Sequence, residues 1–437
     1  MKQVLIVAYE FPPRGGVASL RLLKFVKYLP EFGWKPVVLT VQANAEYPHD
    51  PELERETPPG TPIHRIWHPD SKKVARILDK AFWPFYKLGH GDKVKRLPGK
   101  LIKWLAIPDD KIGSLPQAIV SGHNLIRRYS VDAIMTTGSP WTAHLIGFLL
   151  RKTTGMPWLA DYRDPWSTRL VQTFPTRIHK KINRMLDTAV VRAADCVSAV
   201  SVPLLNELIG LTGRRDSGKF VVISNGYDPD DFTIKGDGGR SGDEKRLEIV
   251  HSGSLYGPQT GKYFLAALSS LIEAGDIPAS NIRVSFVGQI STKDFVEYEG
   301  ADWLTLPGYV SHRAAIKYIQ SAGLLLLLVN PLLGTGATTG KVFEYIASGI
   351  PILALTSNES AAAKIIRSTQ TGVVVDPEDI GQIRQALKAL FEQWQAGQLH
   401  IMPNWEAIRQ YDRRRLTSVL SECLDRMVEK GYKKTID

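Results

Sequence analysis

Residues 334–355 have the sequence GTGATTGKVFEYIASGIPILAL, which predicts a loop, a helix and a buried strand in succession. Thr338 or Thr339 can cap the helix, and the backbone N–H groups that follow are left free at its positive end. Gly349 ends the helix, and Pro351 prevents it from continuing before the apolar strand. A unit of this kind indicates an α/β domain that can bind an anion at the N-terminus of the helix.

The same helix carries two opposite charges on one face. Lys341 and Glu344 are three residues apart, so they are neighbours on the helix surface, with the lysine nearer the anion site. The lysine can bind a phosphate and the glutamate a hydroxyl group. The alternative interpretation is an ordinary surface helix with one i,i+3 ion pair.

The chain is long enough for two domains. It has 437 residues, 43% of them hydrophobic, whereas single cores stop growing near about 250–300 residues. Apolar runs alternate with amphipathic stretches in both halves, which predicts two doubly wound α/β domains with parallel sheets. We expect a Rossmann-like domain at 1–234, a polar glycine-rich linker at 235–245, a second Rossmann-like domain at 246–403 and a long amphipathic segment at 404–437.

The individual elements follow from the same alternation. In the first half the strands are predicted at 4–8, 36–41, 63–67, 133–136, 158–161 and 197–200, and in the second at 247–251, 283–287, 324–329, 352–355 and 373–375. The helices are predicted at 18–29, 115–129, 141–153, 178–192, 262–274, 312–320, 339–348, 358–367 and 380–396. Open sheets of this class bind ligands beyond the carboxyl ends of their strands, so two facing sheets would form a cleft lined by loops.

Two glycine-rich loops each join a predicted strand to a predicted helix. In the first, AYEFPPRGGVASLR, Arg14 adds positive charge, and Gly15 and Gly16 allow the backbone to approach a ligand or to take a positive φ. In the second, HSGSLYGPQTGKYF, Lys262 lies at the start of the helix, where it can meet a phosphate. Neither loop has a complete nucleotide-binding motif, and a tight turn without a ligand is the alternative for the first.

A cluster of charges follows the strand predicted at 158–161. Asp161, Arg163 and Asp164 lie at the carboxyl end of that strand, where α/β enzymes place functional side chains. An ion pair of Arg163 that only fixes the loop is an equally good explanation.

The net charge of +11 is concentrated in one segment. Residues 72–104 contain ten Lys or Arg and two Asp, and therefore contribute +8 of that total. Basic and aromatic side chains are mixed there in a way that suits an anionic membrane surface or acceptor. The alternatives are a solvated basic helix and nucleic acid, for which no binding motif is present. The residues that we expect at this surface are Trp83, Phe85, Tyr86, Lys95 and Arg96.

Other classes of protein have little support in the sequence. Cys196 and Cys423 are far apart and form no CxxC motif, which argues against a disulfide framework or a cysteine-built metal site. No HExxH or GxSxG motif is present, and the apolar runs are much shorter than the roughly 20 residues that span a membrane. We expect a cytoplasmic protein, peripheral at the inner face of the plasma membrane.

Taken in order, the motifs resemble those of GT-B glycosyltransferases, and glycosyltransferase family 4 (glycosyl transferases group 1) in particular. The resemblance covers nearly the whole chain, and such enzymes bind a nucleotide-sugar mainly in the C-terminal domain and an acceptor mainly in the N-terminal one. Their last helix returns to the first domain, which would account for 404–437. The motifs that carry the resemblance are FPPRGG, SPWTAHLIGFLLRKTTGMPWLADYRDPW, AADCVSAVS, SNGYDPDDF, HSGSLYG, LPGYVSH, TTGKVFEYIASGIPILAL and TGVVVDPED.

The resemblance assigns roles in donor binding. Glu344 should bind the ribose hydroxyls, while Lys341 and Lys262 hold the diphosphate as catalytic cations. The other donor-binding residues that it implies are Gly253, Ser254, Gly308, Tyr309, Val310, Thr338, Thr339 and Gly340. The family often has a second glutamate near the transferred sugar and an arginine in the second glycine-rich loop, where this chain has Gly336 and Ser254.

The N-terminal domain should supply the opposite side of the site. By the resemblance, Gly15 and Gly16 approach the donor phosphates or the acceptor, in a loop that also holds Arg14. Arg163 and Asp164 take the place of the family's common His-Asp pair, with arginine in place of the histidine, and are expected to be catalytic.

These implications together predict an enzyme, a glycosyltransferase of the hexosyltransferase type. We expect it to be retaining and metal-independent, with no cofactor, and to move a sugar from a nucleotide diphosphate-sugar to a glycan or lipid-linked acceptor in surface polysaccharide or glycolipid synthesis. Its partners would be that donor, that acceptor and an anionic membrane surface, without nucleic acid. A nucleotide-sugar epimerase of the same fold, or an inactive subunit that docks a partner enzyme at the membrane, are the alternatives.

Overall fold

The computed structural model of the protein describes residues 1–42, 49–68, 104, 106–168, 174–213, 218–233, 245–255, 259–329 and 339–436, with side chains up to 430. Within these residues the chain forms two parallel sheets, one of seven strands and one of six. Helices lie between most successive strands of both sheets, so the predicted pair of Rossmann-like domains is confirmed.

The first sheet has the strand order β3-β2-β1-β4-β5-β6-β7. Its strands are β1 (Lys2–Val7), β2 (Trp34–Val41), β3 (Ile63–Ile66), β4 (Ala133–Gly138), β5 (Trp158–Tyr162), β6 (Cys196–Ala199) and β7 (Phe220–Val222). The helices of this half are α1 (Val17–Tyr28), α2 (Pro51–Arg55), α3 (Leu115–Tyr129), α4 (Thr142–Thr154), α5 (Arg177–Ala193), α6 (Val202–Thr212) and α7 (Asp230–Thr233).

The second sheet has the order β10-β9-β8-β11-β12-β13. Its strands are β8 (Leu247–Ser252), β9 (Ile282–Val287), β10 (Leu304–Gly308), β11 (Leu324–Leu328), β12 (Ile352–Leu355) and β13 (Gly372–Val375). The helices are α8 (Lys262–Glu273), α9 (His312–Ser321), α10 (Lys341–Ser348), α11 (Ala361–Thr369), α12 (Ile380–Gln395), α13 (Trp405–Arg409) and α14 (Arg413–Ile436).

The two strands that the alternation does not predict, β7 and β10, are at the edges of their sheets. β7 has three half-buried residues, and β10 exposes most of its length and contains Pro307, so neither has the apolar run of a central strand. The helices α2, α6 and α7 are also missing from the prediction. The end of the chain, predicted as one amphipathic stretch, is divided into α13 and α14.

Helix α14 returns to the first domain, as the resemblance implies. It packs beside α1 and β4, and its apolar face closes a core under the first sheet. Cys423 on this helix meets Cys196 of β6 in the same core, and both thiols are free and buried. The two cysteines are thus distant in sequence and adjacent in the fold.

A buried ion pair joins α1 to the first sheet. The Arg21 guanidinium lies 2.8 Å from Asp161 at its closest approach, and both side chains are almost completely buried. Arg21 also donates to the carbonyl oxygen of Ile223 at 2.8 Å, and Thr137 donates to the Asp161 carboxylate at 2.9 Å. Asp161, which the sequence places among the candidate functional residues, therefore holds the first helix in position.

The segment that precedes the linker pairs with the segment that precedes α14. The Tyr227 N–H donates to the Tyr411 carbonyl oxygen at 3.0 Å, and the Arg413 N–H donates to the Tyr227 carbonyl oxygen at 2.9 Å. A Cβ at Gly226 would lie 2.0 Å from the Tyr411 oxygen, so this approach requires glycine. The domain boundaries stay a prediction, because most of the predicted linker lies outside the described residues.

Candidate active site

The N-terminus of α10 is one side of the candidate site. The helix begins at Lys341 after Gly340, and the Thr339 hydroxyl does not cap it, so the predicted cap by Thr339 is wrong, whereas a cap by Thr338 stays a prediction. The reason is that Gly340 already has helical φ and ψ and occupies the cap position itself, without a side chain. The hydroxyl of Thr339 is buried without a hydrogen-bond partner, and Thr338 lies outside the described residues.

The first glycine-rich loop reaches α10 from the other domain. Gly16 takes a φ of 105° where α1 begins, a conformation that favours glycine. The next residue, Val17, lies so close to Gly340 that a Cβ there would be 2.6 Å from a Val17 methyl group. The N-termini of α1 and α10 thus face each other, and Gly15 and Gly16 lie at this junction.

Arg14 of the same loop turns back onto its own segment. Its side chain is buried, donates to the Tyr9 carbonyl oxygen at 3.1 Å and lies 3.3 Å from the Glu10 carboxylate. Arg14 therefore stabilises the conformation of its own loop through these contacts. A role for Arg14 in phosphate or acceptor binding stays a prediction.

Glu344 has a partner on each side. Its carboxylate lies 3.1 Å from the Lys341 ammonium and 3.8 Å from Nδ1 of His312, and only 7% of the residue is exposed. Nε2 of His312 in turn lies 3.1 Å from the Asp231 carboxylate. A line of charged and polar groups thus runs from the α10 N-terminus into the junction of the domains.

His312 also contacts the first domain through its backbone. Its N–H, at the start of α9, donates to Asp50 at 2.7 Å, and the neighbouring Ser311 hydroxyl donates to Glu52 of α2 at 3.1 Å. The sequence contains His312 and Asp231 in the motifs LPGYVSH and SNGYDPDDF, yet nothing local indicates that the two side chains meet. Their pairing depends on the docking of the domains.

The one group of carboxylates close enough to share a metal ion, among the residues that the structure describes, consists of Glu56, Asp228 and Asp231. The ammonium of Lys24 lies between them, at 2.7 Å from Glu56, 2.7 Å from Asp228 and 3.0 Å from Asp231. Burial opposes the charge of Lys24, but the three carboxylates outweigh it and raise its pKa. This cluster already contains its cation and does not fit a metal site.

The second glycine-rich loop lies beside Lys341. A Cβ at Gly253 would be 3.5 Å from Cγ of Lys341, so backbone and lysine adjoin there, with Ser254 next in the chain. Lys262 begins α8 and is exposed, with its ammonium 5.7 Å from the Tyr263 ring centroid. Burial lowers the pKa of His251 to about 4, which keeps this strand-end histidine neutral.

The loop after β10 supplies an exposed aromatic ring. Gly308 takes a φ of 78° and accepts a hydrogen bond from the Gly288 N–H at 2.8 Å. Tyr309 is 40% exposed, and Val310 packs against the core of the second domain. The ring of Tyr309 is available for stacking, while its role toward a base stays a prediction.

Arg163 and Asp164 connect the ends of β5 and β4. The Arg163 guanidinium donates to the Ser139 carbonyl oxygen, and the Ser139 hydroxyl donates to Asp164 at 3.1 Å. Arg163 thus fixes the loop through a hydrogen bond to a backbone carbonyl, whereas the alternative drawn from the sequence is an ion pair. Its Nε is buried without a hydrogen-bond partner, and a catalytic role of the pair stays a prediction. The expected membrane or acceptor residues Trp83, Phe85, Tyr86, Lys95 and Arg96, and also Gly336, lie outside the described residues.

His312 should make the stability of the protein depend on pH. Burial favours the neutral ring, but the hydrogen bond to Asp231 and the charges of Glu344 and Asp231 outweigh it, so the pKa of His312 is raised. Its stabilising effect is therefore complete below the unfolded-state pKa of about 6.5 and declines as the pH rises through the raised folded-state value. Urea unfolding of wild type and His312→Gln should differ by about 1.5–3 kcal/mol at pH 6 and by less at higher pH.

His123→Gln is the matched control for this comparison, because the His123 ring meets the Thr153 hydroxyl at 3.0 Å instead of a carboxylate. The difference in unfolding free energy between His123→Gln and wild type should not fall in this way as the pH rises. A His312→Gln difference that stays constant from pH 6 to 9 would contradict the expected linkage.

Comparisons with known proteins agree with this architecture. A glycosyl transferase 4-like domain model matches residues 15–226, and a glycosyl transferases group 1 model matches residues 246–393. A comparison with curated proteins gives no match. No helix among the described residues is both long and apolar enough to cross a membrane.

Solved structures of similar fold cover nearly the whole chain. HepE from Anabaena, in complex with UDP and glucose, has 15% identity, covers 97% of this chain and 99% of its own, and has a TM-score of 0.62. The UDP-forming α,α-trehalose-phosphate synthase from Burkholderia xenovorans, in complex with glucose-6-phosphate, has 13% identity, coverage of 97% and 100%, and a TM-score of 0.63. A glycosyltransferase from Rickettsia africae has 16% identity, coverage of 99% and 97%, and a TM-score of 0.57.

The predicted resemblance is thereby confirmed. The chain belongs to the GT-B glycosyltransferases that combine a glycosyl transferase 4-like domain with a glycosyl transferases group 1 domain.

Proposed function

We propose that the protein is a retaining, metal-independent transferase that moves a sugar from a nucleotide diphosphate-sugar to a glycan or lipid-linked acceptor. The observation that carries this proposal is the pairing of Lys341 with Glu344, 3.1 Å apart at the N-terminus of α10 and opposite the Gly16 loop. HepE, of similar fold, was solved with UDP and glucose, which supports a nucleotide-sugar donor.

The leaving group explains why a lysine at a helix N-terminus suits this reaction. As the glycosidic bond breaks, negative charge grows on the nucleoside diphosphate. Lys341 and the positive end of the α10 dipole are placed to stabilise that charge, and they do so more strongly in the transition state than in the ground state. The chain's own cations can thus perform this step.

Glu344 is assigned to the ribose. Its carboxylate lies one helical turn beyond the phosphate end of α10, and its contacts to Lys341 and His312 hold it in place. As an ionised acceptor, it can receive hydrogen bonds from two hydroxyl groups. Gly308, Tyr309 and Val310 would then border the base.

We expect a screen of nucleoside diphosphates to identify the nucleotide of the donor. Wild type should be stabilised thermally by one of UDP, GDP, ADP, CDP or dTDP, and should slowly hydrolyse the matching sugar conjugate. Glu344→Ala should weaken binding of that nucleotide by about 10–100-fold, because a hydrogen bond to a charged group contributes about 1.5–3 kcal/mol. Isothermal titration calorimetry measures the change.

Glu392→Ala, at an exposed position of α12, is the control and should bind as wild type does. Stabilisation by none of the five nucleotides would contradict the proposed function, as would unchanged binding by Glu344→Ala. Isomerisation of the donor sugar without an acceptor would instead identify an epimerase.

The basic aromatic segment at 72–104 is proposed to bind an anionic membrane surface, from which a lipid-linked acceptor would be reached. Vesicles that contain anionic lipid should therefore sediment the protein, and salt should weaken this binding. Lys95→Ala combined with Arg96→Ala should reduce the affinity by more than about tenfold, since each basic residue contributes about 1 kcal/mol. Equal sedimentation with neutral and anionic vesicles would count against this assignment.

A further inference from the structure

A pocket lies at the junction of the domains, directly behind the paired N-termini of α1 and α10. Val17 and Gly340 border it on the side of the candidate active site, and Glu344 lines its wall. Asp228 and Arg413 close it on the side where the segment before the linker meets α14. Both domains and the C-terminal helix therefore contribute to one pocket that adjoins the proposed donor site.

Arg413 is the unexplained group in this pocket. It is the first residue of α14 and only 3% exposed, and its Nη1 has no hydrogen-bond partner. Burial, together with the positive charge of Arg21, lowers the pKa of the guanidinium to about 9. A buried N–H group without a partner is destabilising, so a bound water or a hydroxyl group of a ligand at this position would satisfy it.

The charges around the pocket restrict what that ligand can be. Glu344, Asp228 and Asp231 all present carboxylates to the Arg413 guanidinium, close enough to influence its charge. Lys24 already neutralises part of this negative charge. Little net positive charge is therefore left to attract a phosphate or carboxylate, whereas a hydroxyl group can donate to a carboxylate and accept from a guanidinium at once.

We propose that Arg413 is a specificity-determining residue of the donor site, which donates a hydrogen bond to the ribose diol of the nucleotide while Glu344 accepts from it. This inference rests on the proposed function. A vicinal diol fits because it is neutral and offers a donor and an acceptor on adjacent carbons. The ribose of the nucleotide carries such a diol. Its position fits as well, since Glu344 lies one turn of α10 from the end that faces the diphosphate.

The proposal gives the C-terminal helix a part in substrate recognition. Arg413 reaches the pocket only while α14 is docked on the first domain, where its backbone N–H donates to the Tyr227 carbonyl oxygen. Glu344 belongs to the second domain. The diol would therefore contact both domains, and nucleotide binding would favour their docked arrangement.

The test compares the nucleoside diphosphate that stabilises wild type best with its 2′-deoxy and 3′-deoxy forms, by isothermal titration calorimetry on the full chain. Wild type should prefer the ribose form to at least one deoxy form by about tenfold or more. In Arg413→Met the affinity for the ribose form should fall about tenfold, whereas the deoxy form should bind nearly as it does to wild type. The preference should therefore shrink to about twofold or less.

Arg415→Met, an exposed arginine two positions further along α14, is the matched control and should keep the wild-type preference. Thermal unfolding without nucleotide shows whether each variant is folded. If Arg413→Met does not fold, Arg413→Lys keeps the charge but not the forked donor, and its preference should shrink as well.

Three outcomes would overturn the inference. A folded Arg413 variant that keeps the wild-type preference, or a wild type that binds ribose and deoxyribose forms equally, would refute the role of Arg413 and leave the proposed function intact. Wild type that binds no nucleoside diphosphate would refute both.

Discussion

Replacing Lys341 with alanine is expected to lower kcat by about 10²–10³-fold with a much smaller change in nucleotide affinity. Removal of one preorganised group that stabilises developing charge typically has an effect of this size on kcat. Lys341 lies at the start of α10, where charge on the leaving diphosphate would develop, and it is paired with Glu344 at 3.1 Å. Steady-state kinetics with the identified donor and titration of the nucleoside diphosphate would separate the two quantities.

Lys364→Ala is the control for this prediction, because Lys364 is an exposed helical lysine of the same domain. It should leave both kcat and affinity unchanged. A Lys341→Ala variant with wild-type kcat would contradict the role of this lysine, and a loss confined to nucleotide affinity would assign it to ground-state binding.

Replacing Asp161 with alanine is expected to lower the free energy of unfolding by about 3–5 kcal/mol, because it leaves a buried guanidinium without its counter-ion. Arg21 lies 2.8 Å from Asp161, and neither side chain is more than 1% exposed. Urea unfolding measures the loss. The double variant Arg21→Met/Asp161→Leu should recover part of the stability, since no unpaired charge then stays buried.

An exposed ion pair provides the contrast. Glu31 and Arg414 lie 3.0 Å apart with about half of each side chain exposed, and Glu31→Ala should change the unfolding free energy by less than about 1 kcal/mol. Equal effects at Asp161 and Glu31 would contradict a structural role for the buried pair. A double variant less stable than Asp161→Ala would contradict the explanation by unpaired charge.

The fold could be predicted because both domains repeat one local pattern. The central strands are buried and rich in apolar residues, and the helices between them have a clear amphipathic period, so each unit is evident without its neighbours. The edge strands β7 and β10 lack this signal, because β7 is only half-buried and most of β10 is exposed.

The candidate site could be predicted only where its residues are close together in the sequence. Lys341 and Glu344 lie on one helix, and their spacing alone brings them together. His312 meets Asp231 across 81 positions of sequence, and Arg413 reaches the pocket from the last helix, so both depend on how distant segments dock. Arg163 likewise contacts Ser139, 24 positions away, which its own segment does not indicate.

The hydrogen bonds between Tyr227 and the segment at 411–413 have a geometric consequence for the cleft. The chain passes between the domains in two segments, and these hydrogen bonds hold the two segments side by side. The two crossings of the chain therefore lie at one place. Widening the cleft without breaking these bonds requires rotation about that point, whereas a sliding motion would shear them. We therefore expect the gap between the Gly16 loop and the start of α10 to widen by rotation, which would also break the hydrogen bond from the His312 N–H to Asp50. The pocket beside Arg413 lies close to the centre of that rotation.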